Sequence, residues 1–304
     1  MTRDEIISAI VDKYEAIGEN PDTYLEGLLH ANLINYWDYI QVETLLSLQR
    51  PRTGFADEEI FIIYHQVTEL VLKLIMHEIK QITGDNNPDE AEIIERVTRA
   101  NRYTTMLITS FAVMKDGMSY DDYNQFRLTL TPASGFQSAQ FRYIELRCTR
   151  LENLVNVAGK ERLPENPGVE DYFEHIYWKD AGLNRQTGKK SLTLKQFEEK
   201  YLESFIELAT EMKGKTLEEK VAQIDNPSEE LVKKLRYFDK FYNVEWPKVH
   251  LNTAKHYLDA KGETIAATGG SEWKKYLHPQ FQQRKFFPGM YSAEELANWG
   301  KDQE

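Results

Sequence analysis

The sequence holds a single cysteine, Cys148, so no internal disulfide and no thiolate metal cluster can form, as suits a reducing compartment. It has no His-x-x-x-His or Cys-x-x-Cys pair, which leaves a zinc site without support. No Gly-x-Ser-x-Gly elbow and no Gly-x-x-x-x-Gly-Lys phosphate loop is present, which removes serine-hydrolase and NTP-binding readings. Basic runs interleaved with aromatics are missing too, and the formal net charge of -12 repels a phosphate backbone, so nucleic acid is not an expected partner. No stretch of about eighteen apolar residues occurs, and MTRDEIISAI has no apolar core after Arg3. Neither a membrane span nor export is expected, and the cytoplasm is the expected compartment. Alternating Val/Ile/Thr patterns are almost absent, as are repeats, low-complexity tracts and Pro- or Gly/Ser-rich linkers.

What is present is apolar residues at spacings of three and four, in a chain of ordinary composition with 41% hydrophobic and 28% charged residues. These patterns predict an all-α protein, a single helical domain over residues 1–304. The clearest helix runs from about Asp57 to Ile82, with Phe61, Tyr64, Leu70, Leu74 and Ile75 recurring behind the acidic first turn Asp57-Glu58-Glu59. Others are predicted over Glu90 to Met114, from near Gly135, over Leu194 to Met212 and from near Ser228, with parts of Thr23 to Gln49 also helical. Proline is tolerated in a first turn and disrupts a helix interior, so Pro247 predicts a kink or restart before a helix carrying His250 to Leu258. Lys115 to Ser134, Ala260 to Gly270 and the polar excursion from Asp180 to Lys190 interrupt the helical pattern, and long ordered loops are often functional.

Several residues in these elements could carry chemistry. His65 follows Phe61 by four residues, which stacks the two side chains on one helix face. The spacing fits a hydrogen-bonded core histidine as well as a functional one. Tyr123 and Arg127 are a turn apart if DYNQFR is helical, so a phenol and a guanidinium could hold one carboxylate, although a helix-pairing arginine is equally compatible. Ser134-Gly135-Phe136-Gln137 fits a capping box at a helix start. His250, after Trp246-Pro247, could ligate a haem iron, and His256 shares that possibility. The small, polar Ala266-Ala267-Thr268-Gly269-Gly270-Ser271 could approach a ligand closely or form a plain surface turn.

In order and approximate spacing these elements resemble the tryptophan 2,3-dioxygenase family. The resemblance rests on Tyr36-Trp37-Asp38-Tyr39, Leu45-Leu46-Ser47-Leu48-Gln49, Phe61-Ile62-Ile63-Tyr64-His65-Gln66 with Glu69-Leu70, FRLTLTPASGFQSAQFR from Phe126 to Arg142, and Thr268-Gly269-Gly270-Ser271. It implies a helical haem domain, with haem b between helices, that uses dioxygen as co-substrate to open the indole C2–C3 bond of L-tryptophan, giving N-formylkynurenine. By similarity His250 is the axial iron ligand, His65 stands near the indole nitrogen and Phe61 packs on the indole. Arg127, Tyr123 and Thr268 hold the amino-acid end, and Ser134 and Gly135 line the pocket. Tyr36 and Tyr39 resemble residues contributed by a neighbouring subunit, so an N-terminal segment of about residues 1–50 and a homotetramer are expected.

The chain departs from the family pattern at Ala56 and Glu59, where histidines are usual, at Val71-Leu72, where Trp-Phe is usual, and at Glu272 in the closing loop. Two other activities share this ligand set: a haem-dependent monooxygenase of aromatic amino acids, and a noncatalytic haem- or tryptophan-binding protein.

Overall fold

A computed structural model describes residues 1–85, 87–184, 187–259 and 277–302. Within it the chain forms two compact units, Met1–Arg50 and Pro51–Glu304. In the first unit Thr2 and Glu5 form a reciprocal capping box that starts the helix Arg3–Glu15. Asn20 and Pro21 start the helix Pro21–His30. The two helices pack through the stacked rings of Tyr14 and Tyr24, 3.9 Å apart. Two short helices follow, Tyr36–Ile40 and Val42–Leu45, separated by Gln41 in the left-handed region. This unit leaves Leu28, Leu29, Leu33, Ile34, Tyr36 and Tyr39 exposed.

The second unit is built around the helix Asp57–Gly84. Its length and mean hydropathy suffice for a membrane crossing, but Glu69, Lys73, Glu78 and Lys80 interrupt its faces. Ile75, Ile79 and Ile82 are fully buried in the main core with Val97 of the helix Glu90–Thr109 and Ile144 of the helix Ala139–Cys148. Its acidic first turn does more than offset the helix dipole. Buried Glu58 accepts from Arg52 N (2.9 Å) and Thr53 N (2.8 Å), and Asp57 accepts from Ser119 N, which starts the helix Tyr120–Phe126.

A second core gathers Trp178, Phe197 and Phe205 around the helix Leu192–Glu211. The predicted helix over Glu90 to Met114 divides at Ser110, whose hydroxyl donates back to Leu107 O before a separate helix Phe111–Asp116. The excursion from Asp180 to Lys190 contains a small antiparallel hairpin with Leu183 paired to Lys190. Among the described residues there is little other strand.

The two starts predicted from sequence near Gly135 and Pro247 differ in outcome. Ser134 begins only a short 3-10 turn, with Gln137 Oε1 accepting from Ser134 N at 3.1 Å, and the α-helix starts at Ala139 behind Ser138, whose hydroxyl accepts from Phe141 N. At Pro247 the restart occurs as expected. The helix Glu229–Lys240 passes through a π-helical turn, Phe241–Glu245, into the helix Trp246–Leu258, with Pro247 in its first turn. A wider turn absorbs the hydrogen bond that proline cannot donate.

Candidate active site

The helices Asp57–Gly84, Tyr120–Phe126 and Trp246–Leu258 enclose a cavity of about 520 Å³ together with the Ser134–Ser138 turn. That volume is in the range of small-molecule and cofactor sites. Phe61, His65, Tyr123, Ser134, Gly135 and His250, six of the residues singled out from sequence, line it. Arg127 does not. It is buried at the end of the helix Tyr120–Phe126, with Nε donating to Asn124 Oδ1 at 3.1 Å. Tyr36 and Tyr39 lie exposed in the first unit, and Thr268, like Glu272, lies outside the described residues.

His65 Nδ1 is 2.7 Å from the carbonyl of Phe61. A carbonyl can only accept, so Nδ1 carries the hydrogen and Nε2 is left with a lone pair. Phe61 and His65 stack with centroids 4.1 Å apart, and Phe61 also meets Tyr123 at 6.1 Å and Phe126 at 5.5 Å. His250 lies 5.6 Å from Phe111, near-parallel to it.

Part of each imidazole is solvent-accessible, but that surface is cavity wall, since protein surrounds both rings. Burial therefore holds His65 below the ordinary histidine pKa despite the Phe61 carbonyl and Glu69 carboxylate, and pushes His250 down to about 4, with His65 adding to the effect. Both rings are neutral near pH 7.

Tyr257 closes one wall. Its hydroxyl donates to Met114 O at 2.6 Å, and its ring packs on Tyr123 at 4.3 Å. The departures from the family pattern separate here: Ala56 and Glu59 are exposed, Val71 and Leu72 belong to the main core, and Leu72 also lines the cavity.

Sequence reasoning missed a buried polar cluster in the wall. Tyr177 donates to Glu145 Oε1 at 2.5 Å and accepts from Arg142 and from Arg284 Nη1 (3.1 Å). Glu145 also accepts from Arg142 Nη1 (3.2 Å) and Arg284 Nη1 (2.7 Å). Arg142, Tyr177 and Arg284 line the cavity. Arg142 closes the quoted PASGFQSAQFR signature, so a signal for it existed, whereas no motif marks Tyr177 or Arg284.

Residues 28–265 match the family model for tryptophan 2,3-dioxygenase. Curated relatives bearing that name include one from Erythrobacter litoralis, 40% identical over 37% of this chain and 43% of its own length. Another, from Sorangium cellulosum, is 40% identical over 37% of this chain and 30% of its own, and one from Rattus norvegicus is 35% identical over 47% and 36%. The matched segments thus span less than half the length of each of these relatives.

Proposed function

The chain belongs to the tryptophan 2,3-dioxygenase family, and from that premise we propose that it cleaves the indole C2–C3 bond of L-tryptophan with dioxygen, using haem b, to give N-formylkynurenine in tryptophan catabolism. Both oxygen atoms end in the product, so no external reductant is consumed. The observation that carries this reading is the pair of neutral imidazoles, His65 and His250, on the walls of one cavity that Phe61, Phe111, Tyr123 and Trp246 also line.

The residues suit a haem. A ligating imidazole must be neutral, as His250 is, and the buried Trp246 Nε1–H in the same wall has no acceptor among the described residues, so a group in the cavity can take it. His250 holds the iron in this reading, and Ser134 and Gly135 border the group. When bound, haem supplies the activation of dioxygen; the protein supplies position and dryness.

His65 Nε2 accepts a hydrogen bond from the indole N–H. An indole N–H is too weakly acidic for a ring of lowered pKa to remove its proton, so His65 orients the substrate rather than acting as an essential base. Phe61 packs against the indole and, with Tyr64 and Phe111, keeps water out. Tyr123, Arg127 and Thr268 hold the carboxylate and ammonium, fixing the indole C2 and C3 beside the oxygen.

The chain acts as a homo-oligomer, a tetramer by family analogy, in the cytoplasm. Support for assembly comes from the apolar surface of the first unit and from Ile63, Leu70 and Leu74, which the Asp57–Gly84 helix leaves exposed. Tyr36 and Tyr39 are the residues such a neighbour lends to the site.

The test is product identity with the reduced, haem-loaded protein. One dioxygen consumed per L-tryptophan with release of N-formylkynurenine is expected; a hydroxylated or oxindole product overturns the assignment, and tight tryptophan binding without turnover points to a binding protein.

A further inference from the structure

Glu69 follows His65 by four residues, Gln140 stands inside PASGFQSAQFR 71 residues after Glu69, and the fold joins the two at the cavity. Gln140 Nε2 donates to Glu69 Oε2 and to the Glu69 carbonyl, each at 2.8 Å, so one amide grips both the side chain and the backbone of that residue. The helices that carry the pair, Asp57–Gly84 and Ala139–Cys148, pack further along through Ile75, Ile79 and Ile144. Apolar contact is non-directional, whereas two hydrogen bonds from one amide fix the register of the helices and the rotamer of Glu69.

The clamp sits where register matters. On one side Phe61, His65 and Glu69 succeed one another at helical spacing on the face that opens onto the cavity. On the other, Gln140 lies in the first helical turn behind Ser138, so the clamp anchors the Ser134–Ser138 wall as well. The Glu69 charge acts on the His65 ring and raises its proton affinity against the effect of burial. Nδ1 already carries a hydrogen, so the position this charge favours for a proton is Nε2, the atom that faces a hydrogen-bond donor in the proposed reaction.

We propose that Glu69, clamped by Gln140, is a positioning residue that strengthens His65 Nε2 as the acceptor of the indole N–H and so selects substrates able to donate from that nitrogen. It acts through His65 and need not touch the substrate. The proposal deepens the proposed function and rests on it for the identity of the substrate.

The experiment reads kcat/KM for L-tryptophan and 1-methyl-L-tryptophan in the reduced, haem-loaded full chain, in Glu69→Gln and in Gln140→Leu. Glutamine can still accept from Gln140, so Glu69→Gln removes the charge and keeps the clamp. Hydrogen bonds assisted by charge are roughly twice as strong as neutral ones, so a wild-type preference of about tenfold for L-tryptophan is expected to fall to about threefold. Gln140→Leu keeps the charge but frees the carboxylate to turn away, and the preference is expected to fall there too. A role confined to stability lowers both substrates alike, so an unchanged preference in Glu69→Gln overturns the proposal, and an unchanged preference in Gln140→Leu overturns the clamp.

If Glu69→Gln does not fold, Glu69→Asp, which keeps the charge but draws it back by one methylene, carries the test with the same two outcomes. A wild-type chain that binds both ligands without turnover sinks the dioxygenase reading alone, because the ratio of dissociation constants by calorimetry still decides the role of Glu69. A wild-type chain with no preference for the N–H overturns the proposal, since Glu69 then has no bond to strengthen.

Discussion

His65 gives its Nδ1 hydrogen to the carbonyl of Phe61, one turn earlier on the same helix, at 2.7 Å. That bond settles the tautomer, leaves Nε2 as an acceptor, and ties the ring to the residue it stacks on.

A substrate that cannot donate from the indole nitrogen therefore gains nothing from His65. Wild-type protein is expected to favour L-tryptophan over 1-methyl-L-tryptophan by about tenfold in kcat/KM, the worth of one buried hydrogen bond. In His65→Ala, L-tryptophan falls by about that factor and the methylated analogue barely changes. Equal losses for both substrates would show that His65 acts through packing alone.

Substitution at His250 and His256 separates the two histidines of one helix. His250 lines the cavity, whereas His256 is exposed and stacks edge-on against Tyr257. His250→Ala is expected to lose the haem absorption band while keeping its helical circular dichroism, and His256→Ala to keep both. Retention of haem with an unchanged spectrum in His250→Ala contradicts the ligand assignment.

Tyr257→Phe removes a buried donor but leaves the ring. Its hydroxyl donates to Met114 O at 2.6 Å, and burial pushes its pKa up to about 12, so the group stays protonated at all ordinary pH values. Stability is expected to fall by about 1 to 3 kcal/mol, because a buried carbonyl loses its donor. Urea unfolding measures this, and a change below about 0.5 kcal/mol would mean that other donors satisfy Met114.

Asp239 makes stability depend on pH in a defined direction. It accepts from Phe286 N, Phe287 N and Asn243 Nδ2, but complete burial outweighs these bonds and pushes its carboxyl up to about 6. The folded state thus holds this proton more tightly than the unfolded chain does. The contribution is fully present below about pH 4 and is lost as the pH rises through about 6, a change of about 3 kcal/mol. The stability of wild type minus that of Asp239→Asn should fall by about that amount across this window. A pH-independent difference contradicts the assignment.

Individual residues show how far local pattern reaches. The Asp57–Gly84 helix and the restart at Pro247 were legible because amphipathic spacing and a missing backbone donor act within a turn or two. Ser134 was read as the start of a helix, yet it begins a 3-10 turn and Ser138 caps the α-helix; two serines four residues apart offer the same local chemistry, and packing chose between them. Arg127 follows Tyr123 at helical spacing, and the structure keeps it in helical backbone just past the end of that helix, with Nε donating to Asn124, a contact that no pattern in the sequence announces.

The sequence by itself determined the helical class, the start of the Asp57–Gly84 helix and the family, and offered His65 and His250 as candidates beside His256, since each is written in contiguous residues or in motifs in order. Only the tertiary structure decided which polar groups converge. Glu145 meets Arg284 from 139 residues away, and Asp239 takes the amide of Phe286 from 47 residues away. No periodicity encodes such meetings, because they depend on how the helices pack on one another and on the cost of burying an unpaired charge.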